Sequence, residues 1–204
     1  MDLIDLTYFS DEARFHLFGY VNSQNTRMWS SENPHFFVEF TLHPQKIGVW
    51  LTVSRRRIVG PIFFHDTVTA HRYRNNILNP FVEQLFDDEL RFGYFQQDGA
   101  TAHTTAETIN YLRNFFDDRL ISFRTDIEFP TRLPCLTVMD YFIFPHLKNN
   151  IFKTPVKNLE QLQERIIQEC GNISPEMLVN AFENMKRRVN LCLEYGGGQF
   201  QQFI

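Results

Sequence analysis

The chain has 204 residues, of which 43% are hydrophobic and 22% charged, and a formal net charge of -4. That describes one ordinary globular domain with a sizeable core and argues against a broadly basic surface, although local basic patches beside a cation-bound acidic cluster could still meet phosphates. Cys135, Cys170 and Cys192 are too few and too scattered for a disulfide framework or a zinc knuckle and point to a reducing compartment; no apolar run approaches the ~18 residues of a membrane span, and Met1–Asp5 lacks the basic and apolar regions of a signal peptide.

Taken in chain order, Asp5 to Glu12 reads as a strand already under way, and Arg14 to Gly19 continues the alternation before a polar stretch to Ser31. Lys46 to Ser54 is near-continuously apolar, the pattern of a strand buried on both faces. Ile58 to Phe64 is a further strand, with Gly60-Pro61 marking a bulge or an edge. These make three adjacent antiparallel strands. From Thr67 to about Leu90 the period becomes helical, with Tyr73, Ile77, Leu78, Phe81 and Leu85 recurring at three- and four-residue intervals. Phe92 to Gln97 is the next strand, Thr104 to Phe116 a helix, and Leu120 to Phe123 a short strand. A Pro-containing loop runs from Phe129 through Pro134. Asp140 to Asn150 is helical but interrupted by Pro145, since a mid-helix proline costs ~3 kcal/mol or more and kinks the helix. Asn158 to Cys170 and Ser174 to Leu193 are long amphipathic helices, the second opening with Ser at the cap and Pro at the first position. The whole is a single α/β domain over residues 1–204, a mixed sheet with flanking helices and a C-terminal helical pair.

The run Gln96-Gln97-Asp98-Gly99-Ala100-Thr101-Ala102-His103 follows an aromatic strand. A carboxylate at the end of such a strand projects beyond the carboxyl edge of the sheet, where ligands of open α/β sheets usually bind. It suits Mg²⁺ or Mn²⁺, hard ions that take oxygen ligands; Asp98-Gly99 as a plain tight turn is the alternative. Asp11 in the first strand region and Asp140 at a helix start complete a candidate set. Three carboxylates on one crevice would hold two divalent ions for phosphodiester chemistry; the alternative is a helix cap at Asp140 and a surface residue at Asp11.

These residues also carry a resemblance. Ser10-Asp11-Glu12-Ala13, the Gln96–Ala100 block with His103, and Pro134 followed by Asp140-Tyr141-Phe142 and Leu147-Lys148 resemble the signature blocks of mariner-type transposases. The likeness extends to Trp29–Pro34, Gly48-Val49-Trp50, Gly60-Pro61, and Arg188-Val189, Cys192-Leu193-Glu194, Gly197 and Phe200. It implies a ribonuclease H-like core in which Asp11, Asp98 and Asp140 bind two Mg²⁺ or Mn²⁺ ions and cut and rejoin DNA at transposon ends. It also implies a nuclear protein that can act as a homodimer.

The chain departs from that pattern in three ways. The helix-turn-helix DNA-binding domains that precede the core in this family have no counterpart in residues 1–204. The loop before the third aspartate reads Leu133-Pro134-Cys135-Leu136-Thr137-Val138 where the family has Ser-Pro-Asp-Leu-x-Pro, and its gap is longer than in the best-known mariner elements. Pro145 stands where the family has a helix-compatible residue. Two other readings therefore stand beside a transposase endonuclease: a non-catalytic remnant serving as an interaction module, and a ribonuclease H-like nuclease for RNA–DNA hybrids or Holliday junctions.

Other residues are weighed similarly. His103 could position a phosphate, a carboxylate or a water, or simply bond to solvent or backbone. Lys148, Lys153 and Lys157 form either a basic strip beside the site or a solvated face. Trp29 could stack on a base, whereas Trp50 belongs to the core. His43, His65 and His71 have no metal-ligand spacing.

Overall fold

A computed structural model of the protein describes residues 2–17, 45–128, 136–198 and 200–203. The Trp29–Pro34 block, His43, and the loop of residues 129–135 with Pro134 and Cys135 lie outside the described residues. A single turn of helix, α1 (Leu3–Leu6), precedes strand β1 (Thr7–His16), so the first strand starts later than its sequence pattern implies. Strands β2 (Lys46–Val53), β3 (Ile58–Phe64), β4 (Tyr94–Gln96) and β5 (Leu120–Ile121) complete a five-stranded sheet in the order β3-β2-β1-β4-β5. The first three strands are antiparallel, as expected, while β4 and β5 run parallel to β1. The sheet is therefore mixed.

Each face of the sheet carries its own core, and alternation along the strands sorts the side chains between them. Phe9 and Phe15 of β1 and Val49, Leu51 and Val53 of β2 face one side, while Tyr8 and Trp50 face the other. Trp50 is fully buried against Phe81, which also packs on Phe95 and Phe116. The bulge anticipated at Gly60-Pro61 is present: the β2–β3 register shifts between Trp50 and Thr52, and Gly60 adopts φ +104, which only glycine takes without strain.

The helix expected over 67–90 is not continuous. Residues 70–82 form α2, whose middle, Tyr73–Leu78, is π-helical, and α3 (Asp87–Phe92) is separate and absorbs Phe92, the first residue of the expected fourth strand. The cause lies at Asn79-Pro80: proline has no N–H to donate and its ring crowds the carbonyl four residues back. Widening the preceding turn relieves both, and the Asn79 N–H reaches back to the Arg74 carbonyl. The same solution recurs in α5 (residues 139–151), where π-helical Met139–Ile143 precedes Phe144-Pro145 and the Phe144 N–H donates to the Met139 carbonyl. Pro145 therefore does not interrupt the helix as its sequence suggests. It widens one turn, and the helix continues to Ile151.

Helix α4 (Ala106–Phe116) starts from a Thr105 cap, α6 (Leu159–Asn172) from an Asn158 cap, and α7 (Pro175–Glu194) from Ser174, whose hydroxyl accepts from the Met177 N–H at 3.2 Å. Helices α5, α6 and α7 cover one face of the sheet, and α2 and α4 the other. The C-terminal pair thus forms from the stripes read in the sequence. No helix among the described residues is long and apolar enough to cross a membrane.

Candidate active site

Strand β1 pairs with β4 only over Thr7, Tyr8 and Phe9, but continues beside β2 to His16. Past Phe9, its edge on the β4 side therefore borders a cleft at the carboxyl ends of the parallel strands. Asp11, Glu12, Ala13 and Arg14 line that cleft from the strand, and Asp140, Phe144, Pro145, Lys148 and Asn149 line it from α5. Asp11 lies inside a long strand rather than at an element end. Asp140 is the second residue of the π-turn, with its N–H on the Thr137 carbonyl at 3.2 Å. The next residue anchors that turn: the Tyr141 hydroxyl donates to the Ala181 carbonyl of α7 at 2.7 Å, and the Arg188 guanidinium covers its ring at 4.2 Å.

Asp98 lies two residues past the end of β4 and is not among the residues that line the cleft, although its charge acts on both Asp11 and Asp140. Its position is built by the rest of its motif. The Ser10 hydroxyl donates to the Gln96 carbonyl at 2.7 Å, tying β1 to the end of β4. Gln97 is buried; its amide donates to the His103 carbonyl at 3.0 Å and to the Ser122 hydroxyl at 3.1 Å, and its carbonyl oxygen accepts from the Tyr73 hydroxyl at 3.1 Å. The loop after Asp98 is thereby fastened to α2, β5 and its own far end. Asp98 Oδ1 accepts from the Ala100 N–H at 3.0 Å, the turn expected of Asp-Gly, and lies 2.5 Å from His103 Nδ1.

His103 is 4% exposed, with its ring against Tyr73 at a centroid distance of 4.1 Å. Its other nitrogen, Nε2, lies 3.0 Å from Glu12 Oε1. A carboxylate on each nitrogen requires both to donate, which is the imidazolium form. Burial alone would lower its pKa, but the bonds and charges of Asp98 and Glu12 outweigh that and raise it to about 10. Burial would likewise raise Asp98, yet the His103 cation and the Ala100 N–H hold it below its ordinary value.

The other two aspartates behave in the opposite way. Asp11 is raised to about 7 by burial and by the charges of Glu12, Asp140 and Asp98, against a lowering hydrogen bond from the Glu12 N–H. Asp140 is raised by burial and by Asp98, against the lowering charge of Lys148. Asp11 and Asp140 thus line one cleft, and the charge of Asp98 acts on both. Carboxylate oxygens are hard donors and suit a divalent cation in donor chemistry. Among the described residues, no three His, Cys, Asp or Glu side chains stand close enough to enclose an ion, so Asp11 and Asp140 border an open cleft rather than a finished cage.

Sequence reasoning overlooked two residues of this site. Glu12 enters the sequence reading only as a neighbour of Asp11 in its block, but strand alternation sends it to the opposite face and onto His103. Arg14 has no motif around it, yet it lines the cleft, its guanidinium lies 5.0 Å over the Phe64 ring, and it donates to the His65 and Asp66 carbonyls. Lys148 reaches the cleft with its ammonium 5.7 Å over Phe15, whereas Lys153 and Lys157 lie beyond the end of α5 and do not line it.

No family model matches the sequence, and no curated protein matches it. The fold does have solved counterparts. The crystal structure of a pre-cleavage Mos1 transpososome superposes with a TM-score of 0.75 at 14% identity, covering 98% of this chain and 58% of the Mos1 chain. The Mos1 strand transfer complex gives 0.73 at 15% identity over 98% of this chain and 57% of that one. The catalytic domain of Mos1 mariner transposase gives 0.70 at 14% identity, covering 97% of this chain and 85% of that chain. Further Mos1 structures of this fold were determined with Mn or Mg. The protein therefore has the ribonuclease H-like fold of the Mos1 catalytic domain, and it spans little more than half the length of the Mos1 chains in the transpososome and the strand transfer complex.

Proposed function

We propose that the protein is a mariner-type transposase nuclease domain that cleaves and rejoins DNA phosphodiester bonds with Asp11, Asp98 and Asp140. The observation that carries this reading is one of placement: Asp11 from β1 and Asp140 from α5 line one cleft, with Asp98 on the loop after β4, in a fold that is that of the Mos1 catalytic domain. Two divalent ions held by these aspartates would supply Lewis acidity at the attacking and departing oxygens of a phosphodiester. The chain's own residues support the remaining requirements. Arg14 and Lys148 bring positive charge to the two walls of the cleft, and neither forms an ion pair with a described carboxylate. They can therefore meet phosphates of a bound strand, which offsets locally the net charge of -4. His103 secures Asp98 in the charged form needed to hold a cation.

DNA is accordingly the proposed partner and the nucleus the proposed place of action. The homodimer that the mariner resemblance implies is the proposed working form. One feature favours a second reading, a retained fold without chemistry: Asp98 Oδ1 is already engaged by His103 and Ala100, and no described acidic group forms a closed cage.

A plasmid-nicking assay with Mn²⁺, run on the protein and on Asp98→Asn, separates the two. Nuclease function predicts weak, sequence-indifferent nicking that disappears in the variant and in EDTA. No nicking by either protein, or equal nicking by both, favours the non-catalytic reading.

A further inference from the structure

We infer that Glu12 and His103 act together as a positioning device for Asp98, with the imidazole locking the loop carboxylate to strand β1. The inference rests on the proposed metal-binding role of Asp98.

Residues 97–105 contain no regular secondary structure. The backbone bonds recorded within the loop are the His103 and Thr104 N–H groups on the Ala100 carbonyl, at 2.9 and 3.2 Å. A carboxylate carried on such a loop would sample many positions, and a misplacement of ~1 Å at a reacting centre can cost ~10²-fold in rate. The imidazole removes that freedom. It is clamped at Nδ1 by Asp98 and at Nε2 by Glu12, a residue 91 positions away on another element. Tyr73 covers its ring, and Gln97 holds its backbone carbonyl.

Alternation in β1 gives the clamp a second property. Asp11 turns toward the α5 side of the sheet while the adjacent Glu12 turns to the α4 side and reaches His103. The backbone that carries Asp11 is therefore the backbone that anchors Asp98, and the separation of two of the three aspartates is fixed through one buried ring. Both recorded hydrogen bonds to Asp98 fall on Oδ1, which leaves Oδ2 as the oxygen for a ligand in the cleft. Partners that orient a metal-binding group typically change affinity 10–100-fold when removed.

The test measures Mn²⁺ binding by electron paramagnetic resonance and amide hydrogen exchange over residues 97–104, on the protein, His103→Ala, Glu12→Ala and Glu12→Gln, with Asp98→Asn as reference. Glu12→Gln keeps an oxygen acceptor for His103 Nε2, whereas Glu12→Ala does not. The Glu12 side chain is 19% exposed against 5% for His103, so the Glu12 variants should disturb the fold less than His103→Ala. Mn²⁺ affinity should fall at least tenfold in Glu12→Ala and His103→Ala and stay within about threefold in Glu12→Gln, with exchange accelerated only in the first two. Wild-type Mn²⁺ affinity in Glu12→Ala, or equal losses in Glu12→Ala and Glu12→Gln, overturns the inference. If the unaltered protein and Asp98→Asn bind Mn²⁺ alike, the metal reading itself fails. Exchange then judges the clamp alone: acceleration restricted to Glu12→Ala and His103→Ala upholds it, and any other pattern overturns it.

Discussion

Pro145 and Asp140 are coupled through a single widened turn of helix. The Phe144 N–H donates to the Met139 carbonyl, five residues back, so the turn carrying Asp140 is wider than an α-turn and gives the Pro145 ring its room. π-turns inside α-helices are frequent at functional sites, and here the proline accounts for one.

The first prediction concerns this turn. A proline forced into an α-helix interior costs ~3 kcal/mol or more. Because the π-turn already relieves the clash and the lost bond, Pro145→Ala should change unfolding free energy by no more than about 1 kcal/mol. Urea denaturation measures it. A gain near 3 kcal/mol would mean that the strain is not relieved in the native helix.

A second prediction follows from the raised pKa of Asp11. Its folded value is about 7, above the ordinary 3.8, through burial and the charges of Glu12, Asp140 and Asp98. A carboxyl group raised in the folded state binds its proton more tightly there than in the unfolded chain, so stability falls as pH rises from about 4 to about 7. Asp11→Asn removes that slope. In EDTA the variant should melt several degrees above the unaltered protein at pH 8, while the two should converge toward pH 4. Parallel melting curves across that range would show that Asp11 is not held protonated by its surroundings.

Much of this site was legible in the residues themselves. The block from Gln96 to His103 announces a strand, a turn and a carboxylate at the sheet edge, and its polar side chains prove to be the fasteners of that loop. The near-unbroken apolar run of β2 gave its burial, and Ser174-Pro175 the start of α7. A carboxylate partner for His103 was among the readings of its motif, but its second partner was not legible. Glu12 lies 91 residues away, and only the parallel pairing of β1 with β4 brings the two together. The π-turns escaped because periodicity records which residues face the core, not how many residues complete a turn. At Pro80 and Pro145 the apolar stripe survives while the hydrogen-bond ladder shifts by one residue.

The third prediction concerns the buried ion pair of Arg57 and Glu89. Glu89 is the buried residue of α3, where it binds the Arg57 guanidinium at 2.5 and 2.9 Å and accepts from the Phe86 N–H at 2.9 Å. Burial would raise its pKa, but hydrogen bonds from Arg57, Tyr8 and Phe86 prevail and lower it below 4.5. A depressed carboxylate contributes stability above its unfolded pKa and loses it as pH falls through the folded one. Glu89→Gln should therefore cost about 1–3 kcal/mol at pH 7, with the difference shrinking below pH 4. A penalty unchanged between pH 7 and pH 3 would assign the loss to packing rather than charge.

The last prediction links a glycine to the proposed DNA-binding lip. Gly48 pairs with Arg14 across β1 and β2, and the Phe64 ring lies where a side chain on Gly48 would stand. That ring in turn supports the Arg14 guanidinium. A methyl group at position 48 must displace Phe64, and overpacking of this kind typically costs 1–3 kcal/mol. Arg14 then loses the surface that holds it over the cleft, so Gly48→Ala should weaken DNA binding as well as stability. Fluorescence anisotropy with a short duplex, at a temperature where the variant is fully folded, reads the second effect, with Arg14→Gln beside it. Both variants should bind several-fold more weakly than the unaltered protein, and their affinities should depend less steeply on salt, because one phosphate contact is gone. Wild-type binding by Arg14→Gln would remove that arginine from the DNA path; wild-type binding by Gly48→Ala alone would show that Arg14 keeps its place without Phe64.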